Sequence, residues 1–120
     1  MNYEYFTEQE FYCHCGNEHE QIVEPKLILM LDIARHHANV PFKITSGYRC
    51  LQWNKSVGGV LDSAHTKGLA ADIAIGDNYK RFQVLDALIR IGFQRIGLYK
   101  NFIHCDIDLN RYHPIIWIEE

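Results

Sequence analysis

The chain has 120 residues, 48% of them hydrophobic and 22% charged, which is enough for one compact domain over residues 1–120 and too little for two. Twelve Lys and Arg against fifteen Asp and Glu, with no block of one sign, leave no basic footprint for a nucleic-acid partner. Apolar stretches such as Leu27–Leu31 fall far short of the roughly 20 residues that cross a bilayer, and the N-terminus Met-Asn-Tyr-Glu-Tyr shows no basic-then-apolar leader, so neither a membrane span nor a signal peptide is expected.

Thr7 with Glu10 three residues on is a capping-box spacing, predicting a helical turn over 7–11 with Phe6 and Phe11 turned inward. The segment after it, Cys13-His14-Cys15 with His19, fits no zinc-ribbon or finger spacing. It reads as a local turn capped by Gly16 ahead of a second structural metal, and the four cysteines read as free thiols. From Pro25, the residues Leu27, Met30, Leu31 and Ala34 recur at helical spacing up to a stop at Asn39-Val-Pro41. Phe42–Thr45 alternates as a short strand, Ser46-Gly47 turns, and Arg49–Val57 predicts a short helix ended by Gly58-Gly59. Leu69–Ile75 is a strand between Gly68 and Gly76-Asp77-Asn78. A helix follows over 79–91, with Phe82, Leu85 and Ile89 on its apolar stripe, Asp77 or Asn78 as cap and Gly92 as stop. Phe93–Tyr99 and Phe102–Leu109 then read as strands joined by a tight hairpin at Lys100-Asn101. Hairpin-paired strands with helices on one face predict an α+β fold, a mostly antiparallel sheet of about four strands.

Period two puts Asp72 on one strand face between Ala70 and Ala74, small neighbours that leave space above a carboxylate. On the later strand His104, Asp106 and Asp108 share one face, and Ile103, Cys105, Ile107 and Leu109 share the core face. If both strands lie in one sheet, His104 and Asp72 point the same way, and His65 in the preceding turn closes a third side. Two imidazoles and one carboxylate suit Zn²⁺ in a cleft over the sheet, with a fourth position open. On spacing alone, a loop histidine, a satisfied aspartate and a half-buried strand histidine explain the same residues equally well.

The run Ser46-Gly-Tyr-Arg49-Cys50, Asn54, Val57-Gly-Gly59, Ser63-Ala-His65, Gly68-Leu-Ala-Ala-Asp72-Ile and His104-Cys-Asp106 resembles the zinc peptidase family of D-alanyl-D-alanine carboxypeptidases and phage L-alanyl-D-glutamate endopeptidases. The resemblance spans about Phe42 to Asp108, and Phe11-Tyr-Cys-His-Cys-Gly16 looks like the lead-in of small members. It implies a zinc on His65, Asp72 and His104, a bacterial cell-wall peptide as substrate, and hydrolysis beside a D-amino acid. Arg49 matches the family arginine that contacts substrate and steadies the oxyanion, and Ser63 is placed to bond substrate or to cap its turn.

One position departs from that pattern. Many relatives carry an acid three residues before the last zinc histidine, and here that residue is Asn101, which cannot accept a proton. Asp106 is therefore the candidate for general base, or equally for the partner that orients the site; Asp108, farther along that face, reads as solvated or paired and His113, before Pro114, as a loop residue, and both stand behind Asp106 as fallback bases. Two function classes follow: a zinc peptidase of peptidoglycan stem peptides, or a non-catalytic zinc-containing wall-binding or virion accessory module. A wall substrate without a leader implies host cytoplasm until lysis, or a virion-associated protein, acting as a monomer or within a phage assembly.

Overall fold

A computed structural model describes residues 2–119. The N-terminal turn is a 3₁₀ helix, Glu8–Phe11, in which the Glu10 carboxylate accepts from the Thr7 N–H at 2.7 Å. Phe6 and Phe11 pack edge to face, 5.5 Å apart, inside the core. Helix α1 (Pro25–Ala38) starts on the proline and ends at Asn39 in the left-handed region, φ 56°. Its core face is Leu27, Ile28, Leu31, Ala34 and Ala38. Helix α2 is shorter than expected, Leu51–Ser56, because Cys50 is extended and acts as its cap. Helix α3 (Asn78–Ile91) is capped by Asp77, whose carboxylate accepts from the Lys80 N–H at 2.7 Å, and is closed by Gly92.

The apolar stripe expected on α3 is wrong. Of its three residues only Leu85 packs against the core; Phe82 and Ile89 are 67% and 51% exposed, and Val84, Ala87 and Leu88 are buried instead. Residues 84, 87, 88 and 91 also follow i, i+3, i+4, i+7, so period alone could not choose between the stripes. The small Ala87, with Ala34 and Ala38 of α1 in the same cluster, lets the helices approach closely, and a larger residue at 87 would cost about 1–3 kcal/mol in overpacking. No helix among the described residues is long and apolar enough to cross a membrane.

The sheet has five strands, not four: β1 (Ile44–Ser46), β2 (Ala70–Ala74), β3 (Arg95–Leu98), β4 (Phe102–Asp106) and β5 (Ile115–Ile118), in the order β1-β2-β4-β3-β5. All pairs are antiparallel except β3–β5, which is parallel. The β3–β4 hairpin turns at Lys100-Asn101 as expected, closed by the Tyr99 N–H donating to the Phe102 carbonyl at 3.0 Å. Strand β4 stops at Asp106, so Asp108 leaves the strand rather than continuing its polar face.

Alternation then sorts the side chains. Ala71, Ile73, Ile96, Ile103 and Cys105 face the helices in the core. On the opposite face one row runs straight across the sheet through register: Ser46 beside Asp72, Asp72 beside His104, His104 beside Gly97, and Gly97 beside Trp117. Gly97 is obligatory there, since a Cβ would lie 2.6 Å from the Trp117 ring. The indole thus lies down over β3 toward His104, with ring centroids 5.4 Å apart.

Candidate metal centre

His65 sits in a second 3₁₀ turn, Ala64–Lys67, whose cap Ser63 accepts the His65 N–H on its hydroxyl at 3.1 Å. Gly68 ends the turn at φ 71°, pressed against the Ile22 carbonyl where a Cβ has no room. The His65 ring is buried, and its Nδ1 lies 2.7 Å from the Gly47 carbonyl. A carbonyl only accepts, so Nδ1 carries the hydrogen and Nε2 presents a lone pair toward Asp72 Oδ1, 3.3 Å away. His104, directly opposite Asp72 in the ladder, brings Nδ1 to 3.0 Å from the same oxygen. One donor atom from each of His65, Asp72 and His104 lies within 4.8 Å of the others. Two imidazole nitrogens and a carboxylate oxygen converging this closely form a donor set that fits a divalent zinc-like ion with one position left open.

The surroundings hold these groups in place. Burial pushes the Asp72 carboxyl up, but the hydrogen bond from His104 and the adjacent His65 ring outweigh it and hold Asp72 well below the usual carboxylate range. Burial lowers the His104 pKa, and hydrogen bonds to Asp106 and Asp72 more than reverse this, leaving it above the ordinary histidine value. Arg49 Nη2 lies 3.5 Å from Asp72 Oδ2, while its Nε and Nη1 donate to Ser46 Oγ at 3.0 Å and Asn54 Oδ1 at 3.2 Å. Three anchors on one guanidinium make a fixed donor, not a mobile surface charge.

The centre floors an open cleft of about 490 Å³. Arg49, Ser63, His65, Asp72, His104 and Asp106 all line it, so the sequence-predicted residues converge on one place. Asp106 is only 1% exposed, and both its oxygens are engaged: Oδ2 with His104 Nε2 at 2.7 Å, Oδ1 with Arg95 Nε at 2.8 Å and with the Asp108 N–H at 3.1 Å. Asn101, Asp108 and His113 do not line the cleft. Asn101 is exposed in the hairpin turn, Asp108 is buried against Lys67 and Arg111, and His113 is exposed with Nδ1 on the Arg111 carbonyl. Arg95, Tyr99, Arg111, Trp117 and Glu119 complete the wall and were not anticipated. A glycine inside a strand, at 97, was the available signal for a close neighbour, and Ile115-Ile-Trp-Ile118 was a readable β-former run.

A family model described as Peptidase M15 matches residues 4–106, a span that includes His65, Asp72, His104 and Asp106. In fold, the chain is similar to the crystal structure of Serratia marcescens L-Ala D-Glu endopeptidase ChiX, with a TM-score of 0.53 and 20% identity over 78% of this chain and 86% of that one. No curated protein matches the chain by sequence.

Proposed function

The chain belongs to the peptidase M15 family of hydrolases, and from that premise we propose that it is a zinc peptidase that cuts peptidoglycan stem peptides beside a D-amino acid. The observation that carries this reading is the convergence of His65, Asp72 and His104 at the floor of an open cleft, with a fixed guanidinium beside them. The ChiX likeness supports a wall-peptide substrate.

His65 through Nε2, Asp72 through a carboxylate oxygen and His104 through Nδ1 would hold the zinc. A zinc ion bound there supplies Lewis acidity toward the scissile carbonyl and activates water at neutral pH. Asp106 orients His104: a carboxylate behind a metal-ligating imidazole fixes its tautomer and strengthens it as a donor. Its engaged oxygens leave it poorly placed to take a proton from the cleft. That task falls to Glu119, the exposed carboxylate on the cleft wall, next but one to Trp117 on the same side of the chain. Arg49 stabilises the oxyanion that develops on the attacked carbonyl. Arg111 is held through Nε by Asp108 at 2.8 Å and through Nη2 by the exposed Asp62 at 3.5 Å, and it lines the cleft as a fixed cation that suits a substrate carboxylate.

Mass spectrometry of muropeptides after incubation with the zinc-loaded protein tests the reading. Endopeptidase action splits the stem between L-Ala and D-Glu, and carboxypeptidase action removes a terminal D-Ala. Unchanged muropeptides, with folded and zinc-replete protein, would overturn catalysis and leave the wall-binding module.

A further inference from the structure

The N-terminal segment carries a second convergence of donors that the peptidase chemistry does not use. Cys13, Cys15 and His19 come together with Cys50, which stands 37 residues beyond Cys13, so that one donor atom from each lies within 4.8 Å of every other. The expectation of a local turn capped by Gly16 missed this because Cys50 arrives from the far side of α1 and β1. None of the four cysteines is in a disulfide.

The geometry points to a second metal centre here, a closed Cys₃His site for zinc that fastens the N-terminal segment to the wall of the cleft. Each sulfur accepts a backbone N–H: Cys13 Sγ from Cys50 at 3.3 Å, Cys15 Sγ from Asn17 at 3.4 Å and Cys50 Sγ from Trp53 at 3.4 Å. Such bonds stabilise thiolates, the form that ligates. His19 Nδ1 lies 2.8 Å from the Glu20 carbonyl, so Nδ1 keeps the hydrogen and Nε2 turns its lone pair inward, 3.1 Å from Cys15 Sγ. Three soft thiolates and one imidazole select zinc over hard cations. Ligands about 2.3 Å from a tetrahedral zinc stand about 3.8 Å apart, within the observed spread. Four protein ligands leave no open position, which makes the site structural rather than catalytic.

Its position gives it a task. Cys50 caps α2 and adjoins Arg49 in sequence, and the same turn carries Gly47, whose carbonyl holds His65. Tyr48 N–H already donates to the Phe11 carbonyl at 2.8 Å, and a metal between residues 13–19 and Cys50 would lock the two segments beside that bond. The inference is independent of the peptidase reading, because none of its ligands lines the cleft.

Metal content and cobalt spectroscopy test it without an activity assay. Elemental analysis of the purified protein should give two zinc ions per chain, falling to one in His65→Ala and to one in Cys15→Ser. The Co²⁺-substituted protein should show the intense near-ultraviolet thiolate-to-cobalt band, retained in His65→Ala and lost in Cys15→Ser. Should Cys15→Ser not fold, His19→Ala keeps three thiolates and must still shift the visible cobalt bands of the folded protein. A wild-type cobalt spectrum without the thiolate band, cobalt bands indifferent to His19→Ala, or a native mass short by two hydrogens, which marks a disulfide, would each overturn the site.

Discussion

Asp106 Oδ2 lies 2.7 Å from His104 Nε2, on the ring edge opposite the nitrogen that faces Asp72. Arg95 and the Asp108 N–H hold the other oxygen of Asp106, so the carboxylate has no freedom to swing into the cleft. Asp106→Asn should therefore weaken zinc affinity by about 10- to 100-fold, the usual cost of losing such a partner. Competition titration against a chelating dye reads this directly. Unchanged affinity with turnover down by about 10² would instead make Asp106 the base.

Arg49→Lys should leave zinc stoichiometry intact and lower turnover at least about tenfold. Lysine keeps the charge but cannot satisfy Ser46, Asn54 and the Asp72 side at once, as the planar fork does. Turnover and metal content measured on the same preparation separate this from metal loss. Full activity in the variant would remove Arg49 from the oxyanion role.

Arg111→Gln should raise KM more than it lowers kcat, because its guanidinium lines the cleft while pairing with Asp108 and Asp62 rather than with the metal-ligand residues. Steady-state kinetics on stem peptides with a free and an amidated carboxyl check it. The amidated peptide should be insensitive to the substitution, and equal sensitivity of both peptides would sink the assignment.

The centre was legible in the sequence because its geometry is local arithmetic. Period two on β2 and β4 placed Asp72 and His104 on one face, and antiparallel pairing of two readable strands was enough to bring them opposite each other. The rest depended on contacts between distant segments. Parallel pairing of β5 with β3 has no hairpin signature, so Trp117 in that strand and Glu119 just beyond it were invisible as wall residues although the strand is apolar and short. Asp108 is paired, as expected of it, but off the strand: the ladder ends at Asp106 instead of running to Leu109, and the chain turns so that Asp108 meets Lys67 and Arg111 rather than the cleft. The stripe on α3 failed because two sets of apolar residues share the helical period, and only packing against α1 selects Val84, Ala87 and Leu88.

His104 sets a pH dependence with a definite sign. Burial lowers its pKa, and hydrogen bonds to Asp106 and Asp72 override this, so the folded value exceeds the ordinary value of about 6.5. A raised pKa stabilises the metal-free protein fully below about pH 6.5, and that contribution is lost as pH rises through the folded value. Zinc requires the deprotonated nitrogen, so its affinity should rise over the same window. Thermal melts of chelator-treated protein should decline above about pH 6.5, and His104→Gln, treated identically, should flatten that decline. A metal-free wild type that gains stability across this window would contradict the arrangement.

Glu119 decides whether the missing acid at Asn101 matters. Asn101 is exposed in the β3–β4 turn and does not line the cleft, whereas Glu119 does. Asp72 and Asp106, the other carboxylates of the wall, are buried and bonded to histidines. Glu119→Gln should accordingly keep zinc and fold while losing on the order of 10² in turnover, the contribution of a positioned proton-transfer group. The acidic limb of the pH–rate profile should vanish with it, which a merely structural role for Glu119 would not cause. Asn101→Asp should change little, since a carboxylate in that turn stands outside the cleft. The reverse pattern, an indifferent Glu119→Gln and an Asn101→Asp that raises turnover, would return proton transfer to the hairpin turn and remove Glu119 from the reaction.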